Sequence, residues 1–299
     1  AEGQVWYNST AGVFKTVLAT GGWVSGGNLN RGTTGAIMAG SQTASIVAGG
    51  YGFPPSPPGT NNTESYNGSS WINNMNDGIG YSSGVGTQVA ALAFGGVPSS
   101  APYRSALNES WNGTSWSEVG DLVTATMQMV GTGTQTAALA IGGGNSGDDY
   151  SANTQIWNGS SWSEGNNLNT GRAIAAGGGT STASIIFGGQ VPGAATAVTE
   201  TWNGTSWTNG NSMNTARQAL LGAGSPSAAV AYGGTIPASA PPGANTTQTE
   251  DYDGTSWSIS GATLAAGRSD TEGCGTGTAA ITAGGNPTPV NATSTIILN

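Results

Sequence analysis

The segment TETWNGTSW, residues 199–207, is the most informative stretch of this chain. An aromatic residue, Asn-Gly, two small hydroxyl residues and Trp follow one another, and this order predicts two strands joined by a tight turn. Asn-Gly and Asp-Gly tolerate the positive φ angles of a type I′ hairpin turn, and aromatic residues suit a half-buried strand. The segment returns with small changes as TESYNGSSW, NESWNGTSW, TQIWNGSSW and TEDYDGTSW, which end at Trp71, Trp116, Trp162 and Trp257.

A second repeated signal lies between these hairpins, namely a short apolar run that ends in two glycines. From Trp23 onward, the hairpin tryptophans recur every 45 to 50 residues. A period of about 45 residues is typical of a four-stranded propeller blade, so the repeats predict an all-β fold of six blades. The double glycines end at Gly50, Gly96, Gly143, Gly189, Gly234 and Gly285.

Each repeat is expected to supply four strands, a to d, in chain order. In the fifth repeat we assign residues 217–222 to strand a, residues 223–227 to a turn and residues 228–234, which end in the double glycine, to strand b. The arms of the hairpin then form strands c and d. Small residues in strand a suit the crowded position nearest the axis of a propeller.

The composition agrees with an all-β repeat protein and disfavours several partners. Only 7% of the 299 residues are charged and 52 are glycine, which argues against long helices. The net charge is −9, and no stripe of basic residues could neutralise the phosphates of a nucleic acid. We therefore expect no nucleic-acid partner. No apolar run approaches the roughly 20 residues that span a bilayer, so we expect no membrane span.

Histidine is absent from the chain, and Cys274 is its single cysteine. The usual general base and the commonest metal ligand are therefore missing, as is every nucleophile activated by histidine. A lone cysteine forms neither an intrachain disulfide nor a multi-cysteine metal site, and we interpret Cys274 as a small buried thiol. We expect no catalytic residues, no metal, no cofactor and no enzymatic activity.

The repeats resemble the kelch motif, with a double glycine after strand b, Tyr or Trp on strand c and Trp on strand d. They depart from it in the c–d turn, where only four residues separate Trp202 from Trp207. The resemblance implies a six-bladed β-propeller of four-stranded antiparallel blades over residues 19–299, after an N-terminal hairpin and linker over residues 1–18. Kelch propellers include binding proteins and enzymes such as galactose oxidase, whose copper-radical chemistry needs histidine ligands. The turn also resembles the Asp-box of sialidases, although it is one residue short.

The chain ends are expected to close the ring of blades together. Residues 293–298 look like a strand c with no hairpin after them, and the segment that begins at Trp23 would supply the missing strand d. Such a mixed blade removes the open sheet edges that invite aggregation.

The N-terminal segment GQVWYNSTAGVFKT, residues 3–16, differs from the repeats. Its apolar residues alternate around a Ser-Thr-Ala-Gly turn, which predicts a β-hairpin. The segment resembles stretches of bacteriophage tail and fibre proteins, and this resemblance implies a virion appendage.

Charged residues recur at two positions of the repeat. Three arginines lie 16 residues before the first glycine of their pair, and four glutamates lie on strand c. We interpret them as pairs inside the blades, and the alternative is a convergent arginine cluster that binds an anionic ligand. The arginines are Arg172, Arg217 and Arg268, and the glutamates are Glu64, Glu109, Glu200 and Glu250.

The b–c loops vary most between repeats, whereas the a–b and c–d turns are short and uniform. In an up-and-down blade, the b–c and d–a connections emerge on the same face. Variable loops on a rigid scaffold are typical of binding surfaces, and drift in unconstrained loops would give the same variation. The adjacent carboxylates in one loop are interpreted as solvated rather than as a Ca²⁺ site. The predicted binding residues are Tyr51, Phe53, Tyr103, Arg104, Asp148, Asp149 and Tyr150.

These features favour a non-enzymatic binding or structural protein of a virion or the extracellular space. The first hypothesis is a phage tail-fibre or appendage propeller whose partners are cell-surface glycans or proteins, or neighbouring virion proteins. The alternative is a secreted microbial propeller used in surface adhesion, and an enzyme of the galactose-oxidase or sialidase type is the third hypothesis. A homo-oligomer is compatible with the sequence.

Overall fold

The computed structural model of the protein is an all-β structure, and its described residues contain no helix. Six four-stranded antiparallel sheets form the blades of a propeller, and short two-stranded sheets accompany them. The structure describes residues 5–8, 13–16, 22–30, 32–52, 62–67, 71–72, 79–98, 104–144, 150–237, 244–270, 272–287 and 294–298.

The strands of each blade follow the order a, b, c, d from the axis outward, and the blades are numbered 1 to 6 along the chain. Strands a are Ile37–Ser41, Ser83–Thr87, Val130–Thr134, Ala176–Thr180, Leu221–Ser225 and Gly273–Thr276. Strands b are Ala44–Ala48, Ala90–Phe94, Ala137–Ile141, Ala183–Phe187, Ala228–Tyr232 and Ala279–Ala283. Strands c are Thr63–Tyr66, Asn108–Trp111, Thr154–Trp157, Thr199–Trp202, Thr249–Tyr252 and Thr295–Leu298. Strands d are Trp71–Ile72, Trp116–Glu118, Trp162–Glu164, Trp207–Asn209, Trp257–Ile259 and, in blade 6, Trp23–Ser25.

Two-stranded sheets complete the described structure. The N-terminal segment pairs as the predicted hairpin, with Val5 opposite Thr16. The other short sheets join the segment before strand a to the residues that follow strand b, or fold a b–c loop onto itself. They pair Thr33–Thr34 with Tyr51–Gly52, Ile79–Gly80 with Val97–Pro98, Arg268–Ser269 with Asn286–Pro287, and Gln190–Val191 with Ala194–Ala195.

The ring of blades closes at blade 6, which both ends of the repeat region build. Trp23 pairs with Leu298, and Ser25 pairs with Ile296, so the mixed blade predicted from the sequence is confirmed. Each strand a lies against the strand a of the next blade, and the strand Gly273–Thr276 lies against Ile37–Ser41. The six inner strands therefore form an unbroken ring around the axis.

Strand a begins about four residues later than the sequence suggested. In blade 5 it is Leu221–Ser225 rather than residues 217–222, and Pro226 and Ser227 form the turn to strand b. Glycine on these strands lets neighbouring blades approach closely, since a Cβ at Gly222 would lie 2.6 Å from the Phe187 ring. The residues assigned too early are the d–a connection, which leads into the channel.

Tryptophans at the start of strand d pack between adjacent blades, as predicted. Trp207 is 6% exposed and lies 5.3 Å, between ring centroids, from Trp202 on the neighbouring strand of its own blade. In four blades the indole N–H of this tryptophan donates to a threonine hydroxyl at the start of strand c in the preceding blade. These bonds join Trp116 to Thr63, Trp207 to Thr154, Trp257 to Thr199 and Trp23 to Thr249, over 2.8 to 3.1 Å.

The hairpin turns differ from the predicted type I′ geometry. Trp111 pairs with Trp116, so the loop between them has four residues, and only Gly113 has a positive φ, 91°. The Asn112 Oδ1 atom accepts hydrogen bonds from the backbone N–H groups of Thr114 and Ser115, each at 2.9 Å. The asparagine thus replaces a backbone acceptor through its side chain, which removes the need for a positive φ at its own position.

Candidate binding face at the channel mouth

One backbone position recurs in all six blades at the mouth of the central channel. The residue 14 positions before the first glycine of each pair has a φ between 46° and 61°, in the left-handed region. Only one of the six is glycine, although other residues adopt this conformation at a cost. The ring consists of Gly35, Tyr81, Gln128, Ile174, Ala219 and Asp270, and it is called the axial ring below.

Hydrogen bonds join the axial ring into a closed circle. The backbone N–H of each member donates to the carbonyl of the member in the preceding blade, over 2.6 to 3.3 Å. The circle closes where the N–H of Gly35 donates to the carbonyl of Asp270. These bonds explain why six different residues share one unusual conformation, because each N–H and carbonyl must point around the ring.

The ring surrounds a cavity of about 100 Å³ on the axis, to which every blade contributes. Tyr81 lines one side of it, and Tyr51 packs against Tyr81. The rings of Tyr51 and Tyr81 are 5.1 Å apart and tilted by 51°. Tyr51 is held in place because its ring covers Gly80, where a Cβ would lie 2.2 Å from the tyrosine ring. Both tyrosines are half-buried and so present part of their aromatic surface to solvent.

Two carboxylates also line the cavity. Asp270 accepts a hydrogen bond from the Ser269 hydroxyl at 2.8 Å, and burial raises the pKa of its carboxyl. Glu272 reaches across two neighbouring blades, where it accepts from Ser83 Oγ at 2.6 Å and from the backbone N–H of Met38 at 3.0 Å. Burial raises the pKa of Glu272 to about 7 against these hydrogen bonds. Protein surrounds this carboxylate, although part of the residue remains exposed to the cavity.

The opposite side of the mouth is uncharged. Gln128, Ile174 and Ala219 face the cavity there. Farther from the axis on the same face lies a depression of about 350 Å³ between the loops of blades 3, 4 and 5. Its lining carries no charged side chain, and consists of Tyr150, Gln190, Pro192, Gly193, Ala194, Gln218 and Pro237.

The predicted binding residues fall into separate places. Tyr51 lies at the channel mouth and Tyr150 in the depression, whereas Arg104 is half-buried in the segment before strand c of blade 2. Phe53, Tyr103, Asp148 and Asp149 lie outside the described residues. Sequence reasoning missed the axial ring and Glu272. The constant spacing to the double glycine would have aligned the ring, since six unlike residues occupy that one position.

The repeated arginines serve the blades and do not converge at the mouth. Arg172 pairs with Glu200, and Arg217 pairs with Glu250 at 3.0 Å, with all four side chains fully buried. Each carboxylate also accepts from an asparagine of the d–a connection, as Glu250 does from the Asn214 backbone N–H at 2.7 Å. The interpretation as pairs inside the blades is therefore confirmed for these two arginines.

Arg268 departs from the expected pairing. The strand-c position that carries glutamate in blades 4 and 5 is Ile296 in blade 6. The guanidinium of Arg268 instead donates to the Gly284 carbonyl at 2.9 Å and to the Ser294 hydroxyl at 2.6 Å. Burial without a carboxylate lowers its pKa to about 10. In blade 6, where isoleucine replaces the glutamate, carbonyl and hydroxyl oxygens thus accept the hydrogen bonds of the buried Arg268.

Other candidate chemistry is limited in the part of the chain that the structure describes. Cys274 is buried on strand a of blade 6, and burial raises the pKa of its thiol, with Glu272 adding to the shift. Within the described ranges, no three His, Cys, Asp or Glu side chains are grouped so that they could hold a metal ion. The same ranges contain no helix with the length and apolar character needed to cross a membrane.

Comparison with known proteins supports the architecture. No protein-family model matches the chain, and no curated protein matches its sequence. A solved structure described as the structure of YjhT superposes with a TM-score of 0.74 and 11% identity. The match covers 91% of this chain and 95% of that chain. At this identity the likeness concerns the fold alone, and the chain is similar to that protein as a six-bladed β-propeller.

Proposed function

We propose that this chain is a non-enzymatic binding propeller of the kelch type, whose ligand face carries the channel mouth and the b–c loops. The observation that carries the proposal is the axial ring. Its backbone is the same in every blade, yet its side chains are six different ones. A binding surface on a repeat scaffold needs positions whose backbone is held by the fold and whose side chains differ between repeats.

The ligand we propose is a cell-surface glycan. Tyr51 and Tyr81 offer flat faces at little entropic cost, and sugar rings stack on such faces. Gln128 and Asp270 supply amide and carboxylate groups that can bond to hydroxyls within the same cavity. Mostly apolar walls with a few convergent polar groups are usual for a small-molecule site.

The residue types present in the chain favour binding without catalysis. The chain has no histidine to act as a general base near neutral pH. Its one thiol, Cys274, is buried with a raised pKa, which disfavours the thiolate form that attacks electrophiles. Sialidase-like or galactose-oxidase-like turnover would contradict this part of the proposal.

The biological setting we propose is a virion appendage such as a phage tail fibre, or otherwise the extracellular space. The N-terminal hairpin, with its resemblance to phage tail and fibre segments, favours the virion. The alternative is a secreted microbial adhesion propeller, which would use the same face.

A glycan array of the purified chain tests the proposal. Tyr51, Phe53, Tyr103 and Tyr150 are changed together to Ser, and the array signal should fall while the melting temperature is retained. Val89→Ser is the matched control, because Val89 is 62% exposed in an a–b turn on the opposite face. Equal signals from the quadruple variant and the native chain would show that the aromatic residues of the b–c loops do not bind the glycan. No signal from any glycan would reject glycan binding.

A further inference from the structure

Charge is distributed unevenly around the axial cavity. Among the described residues that line it, the charged side chains are Asp270 and Glu272, and no lysine or arginine lies with them. The arginines of blades 4 to 6 are engaged inside their blades. The cavity therefore carries a negative potential that comes chiefly from Asp270 near pH 7, because Glu272, with a pKa of about 7, is only partly ionised there.

The repeat pattern does not call for a carboxylate at either of these two positions. The other five members of the axial ring are uncharged at the position of Asp270. Two residues later, where blade 6 has Glu272, the other blades have Ile37, Ser83, Val130, Ala176 and Leu221. Both acids thus interrupt a pattern that the other blades satisfy with neutral side chains.

We propose that Asp270 and Glu272 determine the charge of the ligand, so that the channel mouth takes uncharged or amine-bearing sugars and rejects acidic ones. The inference rests on the proposed glycan-binding function. An acidic sugar would place its carboxylate beside Asp270 in a confined cavity, where like charges repel strongly. An ammonium group would instead be attracted by Asp270 and by the faces of Tyr51 and Tyr81.

The array that tests glycan binding also tests this selectivity, if it carries neutral glycans, their sialylated counterparts and amino-sugar glycans. The native chain should bind a neutral glycan about tenfold or more tightly than its sialylated counterpart. Asp270→Asn and Glu272→Gln should each reduce that ratio by raising the affinity for the sialylated glycan. Asp253→Asn is the matched control, because it removes one charge on the opposite face, where four other blades already have asparagine.

A measurement on the native chain covers the case in which a variant fails to fold. Raising the salt concentration screens repulsion, so binding of sialylated glycans should improve relative to their neutral counterparts. Equal affinity for neutral and sialylated glycans at low salt would overturn the inference and leave the proposed function standing. A complete lack of glycan binding would overturn both.

Discussion

Asp253 and Asp270 show how differently the two faces of the propeller use the same residue. Asp253 lies exposed in a c–d turn, where hydrogen bonds from the Ser256 and Thr255 backbone N–H groups lower the pKa of its carboxyl. Asp270 lies at the channel mouth, where burial raises the pKa. The surroundings of Asp253 therefore favour the ionised form of its carboxyl, whereas those of Asp270 disfavour it.

The repeats give this difference a meaning. At the position of Asp253, the other described turns have asparagine, whose Oδ1 makes the same bonds to the backbone. At the position of Asp270, the other blades have residues with no common chemistry. Hydrogen bonds within the turn explain why Asn or Asp occupies that position. The backbone bonds of the axial ring do not explain which side chains its members carry. The following substitutions test this contrast, from the largest expected effect to the smallest.

Removing a scaffold tryptophan should cost the most stability and leave binding specificity intact. Trp207→Ala empties a site that is 6% exposed and breaks the bond to Thr154 Oγ1. We expect the free energy of unfolding to fall by about 3–5 kcal/mol, measured by denaturant titration. Ile259→Ala is the control, since this side chain is 64% exposed on strand d of blade 5 and should change stability by under about 0.5 kcal/mol. A loss below about 1 kcal/mol at Trp207 would show that packing between the blades contributes little to the free energy of unfolding.

Unpairing a buried arginine should have the next largest effect. Glu250→Gln leaves the guanidinium of Arg217 without its carboxylate in a fully buried site, and we expect a loss of about 3 kcal/mol. The double variant Arg217→Met with Glu250→Gln removes the charge at similar volume and should recover part of that loss. Blade 3 already has an uncharged pair there, Thr126 and Gln155. A double variant less stable than the single one would show that the arginine contributes through its carbonyl bonds alone.

Glu272 should make stability depend on pH. Its pKa is about 7 in the folded chain and about 4.5 when unperturbed, so the folded state binds the proton more tightly. The resulting stabilisation is complete below about pH 4.5 and is lost as the pH rises through 7. We expect this loss to be about 1–3 kcal/mol, since Glu272 is partly exposed and solvent reduces the cost of its charge.

Melting temperatures of the native chain and Glu272→Gln between pH 4.5 and 8 would check this expectation. The variant should flatten the decline over that interval. Asp270 contributes with the same sign at lower pH, because its pKa is also raised. Identical profiles for the two proteins would assign the pH dependence to other groups.

Relieving backbone strain in the axial ring should produce a small gain. Ile174 is β-branched and has a φ of 46°, whereas glycine adopts this region freely and already occupies it in blade 1. Ile174→Gly should therefore relieve about 1 kcal/mol of backbone strain. The net gain in stability should be smaller than this, because the apolar contacts of the isoleucine are lost. Ala176→Gly, on strand a of the same blade, is the control and should destabilise. A marked loss of stability in Ile174→Gly would mean that the isoleucine packing, rather than function, retains this residue.

The fold could be predicted from the sequence because its signals are repeated. The Trp hairpins and double glycines predicted six blades, and the unmatched strand predicted at residues 293–298, which the structure has at Thr295–Leu298, indicated how the ring closes. The start of strand a was wrong because Ala219 and Leu220 look like strand residues but belong to the d–a connection. Their conformation depends on the hydrogen-bonded axial ring, and contacts between blades are invisible in a local pattern.

The candidate site was less predictable for a related reason. The b–c loops drew attention because they vary in length and carry aromatic residues, and this reasoning selected Tyr51, which lies beside Tyr81. Tyr81, Asp270 and Glu272 vary within segments of constant length, so they resemble ordinary scaffold positions. Only the closure of the ring brings them to one cavity.

The most direct test of the account is a crystal structure of the chain with the glycan that gives the strongest array signal. We expect the terminal sugar to lie in the axial cavity, stacked on Tyr81 or Tyr51 and hydrogen-bonded to Asp270 or Gln128. A sugar bound to the a–b and c–d turns on the opposite face would contradict the assignment of that face to the scaffold.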